Sequence, residues 1–255
     1  MSELLKGKNI LIMGIRNKWS IAWGIAQAAK AQGANLIFTY LGDREKESLQ
    51  KLTSGMGEID AYPCDVANEE DIDSLFSTIK SKYGVLHGLV HAIAFAKSED
   101  LQDTFVNTSK DGFLVAMDIS VFSFITVAKR AQALMTDGGS ILTLTYRGSV
   151  KVSPGYNIMG VAKAALEASV RYAAADLARD NIRAFALSAG PIRTRAASGI
   201  AHFDELIDRV RDRTPSHQLV SIEEVGRIAA FLASEAAAPM SGSVIYADNS
   251  FHLMA

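Results

Sequence analysis

The sequence predicts an α/β fold in which a doubly wound parallel sheet of seven strands carries helices on both faces. Short apolar runs rich in β-branched residues alternate with longer segments whose apolar residues recur every three to four positions. Such alternation produces right-handed βαβ crossovers and therefore a parallel sheet. No linker-like stretch divides the 255 residues. We therefore expect residues 1–255 to form one Rossmann-like domain.

Each predicted element follows from its local pattern. The strands are the apolar runs at residues 9–13, 35–40, 59–63, 86–94, 140–146, 182–188 and 243–247. The helices are the periodic segments at residues 20–32, 44–54, 69–82, 109–134, 156–178 and 221–233. The connection at residues 190–216 is long for such a fold, so we expect a substrate-binding lid there, with a short amphipathic helix at 203–211.

Composition excludes several classes of function. The single cysteine, Cys64, permits no intrachain disulfide, and the five histidines show no metal-ligand spacing, so we expect no metal site. A net charge of -2 without a basic stripe argues against nucleic acid as a partner. We find no apolar window of the roughly 20 residues that a membrane span needs, and no signal peptide. The expectation is a soluble, cytoplasmic protein without membrane insertion.

The turn after the first strand carries a candidate nucleotide motif. "GIRNKWSIAWG" spaces Gly14, Ser20 and Gly24 as G-x5-S-x3-G. A glycine permits a tight turn beside a pyrophosphate, a serine can cap the helix, and the helix N-terminus attracts anions. A plain strand, turn and capped helix, with Gly24 allowing close packing, explains the same residues.

Later strand ends offer further candidate contacts for a dinucleotide. Asp43 would bind the ribose hydroxyls of NAD and Arg44 the phosphate of NADP, although both also suit a solvated helix start. Asp65 could accept a hydrogen bond from adenine or simply precede a helix. The small residues around Ile93 would let a ribose or nicotinamide approach the backbone, and they suit a packed core equally well.

Tyr156 and Lys163 are seven positions apart, so their side chains share one face of a helix. A neighbouring ammonium favours a phenolate and lowers the pKa of a tyrosine from its usual value of about 10. The pair is thus a candidate proton donor, and the lysine could also bind the ribose of a nicotinamide cofactor. The alanine-rich helix around them would also suit a buried helix–helix interface.

Y-x6-K follows "LTLTY" and precedes "SAGPIRTRAASGI", and Tyr146 lies ten residues before Tyr156. With G-x5-S-x3-G, these features resemble the short-chain dehydrogenase/reductase superfamily and, within it, the NADH-dependent enoyl-acyl-carrier-protein reductases, over nearly the whole chain. The resemblance implies reduction of the trans-2 double bond of enoyl-acyl-carrier-protein thioesters by NADH, the last step of the fatty-acid elongation cycle. It also implies a homotetramer. NADPH stays open as an alternative coenzyme.

The resemblance assigns roles to individual residues. The implied catalytic residues are Tyr156, Lys163 and Tyr146. The implied cofactor contacts are Gly14, Ser20, Ile21, Leu41, Asp65, Val66, Ile93, Lys163, Ile192 and Thr194. The expected substrate contacts are Ala96, Tyr146, Met159, Ile200 and Phe203.

Three places depart from the family pattern. Phe185 replaces an asparagine, Arg147 replaces a leucine near the expected substrate mouth, and Asn249 and Ser250 stand in a closing motif that normally contains glycine. Two other functions therefore stay open. One is a catalytically weak homologue that binds dinucleotide or acyl carrier. The other is a 3-ketoacyl reductase, which would carry a serine about thirteen residues before the tyrosine, where this chain has Thr143.

Overall fold

The computed structural model describes residues 3–57, 59–192 and 203–254. It contains a seven-stranded sheet of order β3-β2-β1-β4-β5-β6-β7, with every neighbouring pair parallel. The strands are β1 Asn9–Met13, β2 Asn35–Tyr40, β3 Asp60–Pro63, β4 Gly88–His91, β5 Gly139–Thr145, β6 Ile182–Ala189 and β7 Val244–Ala247. The predicted fold class is confirmed. Because the order reverses beside β1, the crevice between the carboxyl ends of β1 and β4 is where such a sheet binds ligands.

The helices cover both faces of the sheet. They are α1 Ile21–Ala31, α2 Asp43–Thr53, α3 Glu69–Tyr83, α4 Ser98–Gln102, α5 Lys110–Met117, α6 Ser123–Gln132, α7 Asn157–Leu177, α8 Phe203–Arg213 and α9 Ile222–Ala233. The six long predicted helices and the short helix at residue 203 are present. The pattern missed α4, and β4 ends at His91 rather than continuing to residue 94.

The sheet separates two apolar cores. Leu11 and Ile141 face one core together with Phe124 of α6. The opposite face packs α1 and α9 on a second core, which includes Phe185 of β6. Phe185 is fully buried and pairs in register with Leu142 of β5. The aromatic ring that departs from the family pattern is thus a core residue, far from solvent.

Helices α1 and α9 cross closely enough that only glycine fits at the crossing. A Cβ on Gly24 would lie 2.2 Å from the carbonyl oxygen of Ile222. A Cβ on Gly226 would lie 2.2 Å from the carbonyl oxygen of Gly24. Gly24 of the G-x5-S-x3-G motif therefore serves helix packing.

One helical stretch contradicts the expectation that no window could span a membrane. Helix α5, a π-helical turn at Asp118–Phe122 and α6 run on without a break, and residues Lys110–Gln132 are long and apolar enough by length and composition. Its most apolar 18-residue window has a mean hydropathy of 1.6, although polar residues interrupt the stretch. Half of it is buried inside the protein, where Phe124 and Val127 belong to the first core.

Candidate active site

The three predicted catalytic residues meet at the carboxyl end of β5. Tyr146 follows that strand, Tyr156 directly precedes α7, and their rings pack edge to face with centroids 5.0 Å apart. Lys163 is buried two turns into α7, and its Nζ donates a hydrogen bond to the carbonyl oxygen of Leu144 at 2.7 Å. The side chain of Lys163 is therefore bound to the backbone of β5 two residues before Tyr146.

Two glycines make this arrangement possible. A Cβ on Gly148 would lie 2.6 Å from Cδ1 of Tyr156 and 3.1 Å from Cδ1 of Tyr146. A Cβ on Gly160 would lie 2.8 Å from the carbonyl oxygen of Gly148. Sequence reasoning missed Gly148, although a glycine two positions after Tyr146 was the available signal.

The protonation states differ from the expectation for this pair. Burial raises the pKa of Tyr156, and the neighbouring Tyr146 and Glu167 raise it further. The expectation that Lys163 would lower this pKa was wrong, because desolvation of the phenolate dominates. Burial also lowers the pKa of Lys163 to about 8, against an opposing effect of Glu167. At neutral pH the site therefore holds a neutral phenol beside a mostly protonated lysine.

The turn after β1 packs closely against the chain that follows β4. Gly14 has φ +96°, and a Cβ there would lie 2.2 Å from the carbonyl oxygen of Ala92 and 3.4 Å from Cγ1 of Ile93. The ends of β1 and β4 can therefore touch only because residue 14 is glycine. The predicted cofactor residues Gly14 and Ile93 are direct neighbours in the crevice.

Ser20 does not cap α1 with its side chain, contrary to expectation. Its hydroxyl accepts hydrogen bonds from the amides of Arg16 at 3.2 Å and Asn17 at 2.9 Å, and donates to the carbonyl oxygen of Asn17. The hydroxyl thus closes the loop before the helix. In the described part of the chain the amides of Ile21 and Ala22 have no partner, so the positive end of α1 is available to an anion.

The remaining predicted cofactor residues follow the carboxyl ends of other strands. Leu41, after β2, is 62% exposed, and Ile192, after β6, is partly buried against the second core. The Asp65 carboxylate accepts a hydrogen bond from the amide of Ala67 at 2.9 Å, and Val66 packs on the first core. Thr194 lies outside the described residues. The described ranges contain no group of three or more His, Cys, Asp or Glu arranged to hold a metal ion.

Met159, an expected substrate contact, lies just after Tyr156, whose carbonyl oxygen accepts a hydrogen bond from its amide at 2.9 Å. Met159 is buried one turn into α7, with its Sδ 4.0 Å from Oγ of Ser120. The same hydroxyl binds both backbone groups of Phe95, at 3.0 and 3.1 Å, and so holds Ala96 near Met159. Ile200 lies outside the described residues, as does the side chain of Phe203.

Comparison with known proteins identifies the group to which the chain is related. The family model described as Enoyl-(Acyl carrier protein) reductase matches residues 14–252. The chain belongs to this family. It is 47% identical to the NADH enoyl-(acyl-carrier-protein) reductase FabI of Bacillus subtilis, over 100% of both chains.

Solved structures of enoyl reductases share the fold. The Bacillus cereus enoyl-acyl carrier protein reductase with NADP+ and indole naphthyridinone has a TM-score of 0.97 and 46% identity, over 100% of both chains. The Anaplasma phagocytophilum enzyme in complex with NAD has a TM-score of 0.95 and 42% identity, covering 99% of this chain and 97% of that one.

In this enoyl reductase, Arg147 supports the site from outside. Its guanidinium lies over the ring of Phe251, 4.2 Å from the centroid, and Nζ of Lys151 donates to the carbonyl oxygen of His252 at 3.0 Å. His252 pairs in turn with the buried Asp248 at 2.8 Å. This stacking ties the turn after Tyr146 to the C-terminal turn Phe251–Leu253, while an effect of Arg147 on the neighbouring substrate mouth stays a prediction.

A buried histidine under the site of this reductase was missed by sequence reasoning. His91 Nε2 lies 2.8 Å from Oγ of Ser123, whose own proton goes to the carbonyl oxygen of Ile119 at 2.7 Å. His91 must therefore donate this bond. Burial, and then the charge of Lys163, lower the pKa of His91 to about 3, so the ring is neutral. A histidine inside the apolar run of β4 was the signal.

Proposed function

We propose that this chain reduces the trans-2 double bond of enoyl-acyl-carrier-protein thioesters with NADH, the last step of fatty-acid elongation. The observation that carries the proposal is the edge-to-face pair of Tyr146 and Tyr156 beside the buried Lys163, at the sheet edge that also holds the free N-terminus of α1. Family membership supports the same reaction. The relatives' names supply its substrate class.

The residues of the crevice fit a dinucleotide. Gly14 lets the turn after β1 pack against the end of β4, and the amides of Ile21 and Ala22, unpartnered within the described residues, would offer hydrogen bonds to a pyrophosphate. NADH, when bound, supplies the hydride that the β-carbon of the substrate accepts. Leu41 places an apolar side chain at the end of β2, where a ribose phosphate would need a cation. This favours NADH as the coenzyme.

Tyr156 performs the acid step. Hydride addition to an enoyl thioester leaves an enolate, and a neutral phenol can donate a hydrogen bond or a proton to its oxygen. Burial keeps Tyr156 protonated, as this role requires. Lys163 would hold the ribose hydroxyls of the nicotinamide coenzyme and would add a positive charge near the enolate. Solvent finally protonates the α-carbon.

The acyl chain lies against the apolar side chains next to the tyrosines. We assign one wall of this slot to Ala96, Tyr146 and Met159, of which Met159 is buried. We assign residues 190–216 to a lid over the acyl chain, with Ile200 and Phe203 as further substrate contacts and Thr194 as the residue that would hold the carboxamide of the nicotinamide.

The assembly is a homotetramer located in the cytoplasm. The continuous helical stretch of α5, the π-helical turn and α6 exposes an apolar face at Phe113, Leu114, Phe122 and Ile125. Helix α7 adds the exposed side chains of Val161 and Tyr172. Apolar patches of this kind mark protein contacts. Since the other half of the helix is already buried in the core, copies of this chain, and not lipid, cover the exposed half.

One further observation separates the candidate functions. Thr143 is fully buried, and its hydroxyl donates to the carbonyl oxygen of His91 at 3.0 Å. The hydroxyl is thus engaged with the backbone of β4, which argues against its acting as the serine of a 3-ketoacyl reductase.

The deciding experiment compares NADH and NADPH oxidation with crotonyl, dodecenoyl and 3-ketoacyl thioesters. We expect turnover with the enoyl substrates, faster with NADH. Turnover only of the ketoacyl thioester contradicts the proposal. Tight NADH binding without any enoyl turnover favours a catalytically weak homologue instead.

A further inference from the structure

Glu167 is a buried acidic residue that the proposed mechanism does not use. It lies on α7 and is only 5% exposed. Oγ1 of Thr145, the residue directly before Tyr146, donates a hydrogen bond to Glu167 Oε1 at 2.6 Å. A carboxylate out of water is costly unless it is hydrogen-bonded and paired with a positive charge, so its place behind the site calls for a partner.

Lys163 supplies this positive charge through space: Glu167 acts to raise its pKa, and the described residues show no direct ion pair between the two side chains. The two residues are four positions apart on α7, a spacing that puts both side chains on one face of the helix. Lys163 donates to the carbonyl oxygen of Leu144, and Glu167 accepts from the next residue along β5. One short stretch of strand is therefore held by both side chains.

We infer that Glu167 is a positioning residue, which keeps Lys163 in its charged form and fixes the end of β5 that carries Tyr146. This inference rests on the proposed function. It predicts that removing the negative charge, while keeping the shape of residue 167, changes the pH range in which the reductase works.

The surroundings leave Lys163 as the titrating group. The titratable groups that feel the charge of the pair are His91 from β4, Tyr156 before α7 and Tyr246 from β7. Tyr146 in turn acts on Tyr156, and Asp248 acts on Tyr246 and Tyr146. His91 is neutral because burial lowers its pKa to about 3. Burial raises the pKa of all three tyrosines, which stay neutral as well.

The direction of the pH effect follows from the sign of the charge. Burial lowers the pKa of Lys163 to about 8, and Glu167 opposes this. The ammonium is present below that pKa and is lost as pH rises through it. Without the charge of Glu167, the loss must begin at lower pH.

The test uses Glu167→Gln, which keeps the hydrogen-bond acceptor for Thr145 and removes only the charge. We expect the alkaline fall of kcat/KM for a crotonyl thioester to move down by about one pH unit, a shift typical of losing one close opposite charge. Near the wild-type midpoint this corresponds to about a fivefold loss of kcat/KM. Glu70→Gln, the same change at an exposed site on α3, is the matched control and leaves the profile unchanged.

Thr145→Val tests the other half of the inference. This substitution keeps the charge of Glu167 and removes its hydrogen bond from residue 145. We therefore expect kcat to fall while the alkaline midpoint of the kcat/KM profile stays in place. A uniform loss in Glu167→Gln without a pH shift would show a merely structural role and overturn the inference. If circular dichroism shows that Glu167→Gln does not fold, Glu167→Asp is the second variant, because its shorter side chain withdraws the carboxylate from Lys163. Its alkaline midpoint must then move down by less than about one pH unit, and an unchanged midpoint overturns the inference.

Failure of the proposed function gives a different result. A wild-type chain that oxidises no NADH with enoyl thioesters contradicts the function alone. The role of Glu167 is then tested by the pH dependence of NADH affinity, which Glu167→Gln must move in the same direction. An unchanged dependence overturns the inference.

Discussion

Tyr146, Tyr156 and Lys163 show what spacing can and cannot predict at the scale of single residues. Their separation along the chain was enough to place Tyr156 and Lys163 on one helix face, and the structure brings Tyr146 against them. Their protonation was not predictable, because it depends on burial. Desolvation raises the pKa of Tyr156 where proximity to an ammonium suggested the opposite.

Gly148 provides a residue-scale prediction. We expect Gly148→Ala to lower kcat at least about tenfold, since a methyl group 2.6 Å from Tyr156 must displace the ring, and small displacements of catalytic groups are costly. The measurement is steady-state NADH oxidation with a crotonyl thioester. Gly55→Ala is the matched control, because nothing lies within 4 Å of its added Cβ. Wild-type kcat in Gly148→Ala would refute the packing role.

At the scale of elements, the C-terminal turn carries a strain that the family pattern avoids. Asn249 and Ser250 have φ values of 52° and 68°, where glycine is favoured. We expect Ser250→Gly to raise the free energy of unfolding by about 0.5–1 kcal/mol. The substitution removes the cost of holding a serine in the left-handed region, and part of this gain is lost because glycine makes the unfolded chain more flexible.

This prediction is checked by the thermal unfolding midpoint, which should rise by about 1–2 °C. Ser54→Gly is the control, because Ser54 has right-handed backbone angles and glycine there should lower the midpoint. A lower midpoint in Ser250→Gly would show that the strain is offset by contacts of the serine.

Long periodic elements were predictable, whereas short ones were not. Periodicity identified α1, α3 and α7 because an apolar stripe repeats over several turns. Helix α4 has five residues and offers no repeat. The π-helical turn at Asp118–Phe122 contains Ser120, whose hydroxyl accepts a hydrogen bond from the amide of Phe95 and donates one to its carbonyl oxygen. This tertiary contact is not visible in the local sequence pattern.

Hydroxyl partners were equally beyond the reach of local pattern. The sequence predicted Ser20 at the start of α1, yet its hydroxyl accepts hydrogen bonds from amides of the preceding loop and not from those of the helix. The serine hydroxyl could accept a hydrogen bond from the amides of the loop or from those of the helix, and the conformation of the loop places its own amides closer. The outcome leaves the helix N-terminus free for an anion.

At the scale of the whole molecule, the strand order explains why the site residues meet. The order reverses beside β1, so the Gly14 turn and the end of β4 border one crevice, with the end of β5 next along the sheet. Alternation of strands and helices predicted a parallel sheet, and the resemblance to a known family implied which strand ends hold the cofactor. Residues outside the described ranges, such as Thr194, keep their assignments as proposals.

The exposed apolar face of α5 and α6 leads to a prediction about assembly. We expect Ile125→Asp to break the proposed tetramer into smaller species, because a charge there would be buried against another copy. Light scattering coupled to size-exclusion chromatography measures the mass. Val106→Asp, a change at another exposed β-branched residue, should leave the mass unchanged. A tetramer in Ile125→Asp, or a monomer in the wild type, contradicts this interface.

The central claim is that Tyr156 acts as the neutral proton donor of an NADH-dependent enoyl reductase. Its most direct test is the steady-state rate of NADH oxidation with a dodecenoyl thioester by Tyr156→Phe, compared with the wild type. We predict that kcat falls by about 10²- to 10³-fold, as expected for loss of a general acid, while NADH affinity is retained. Undiminished turnover in Tyr156→Phe would contradict the account.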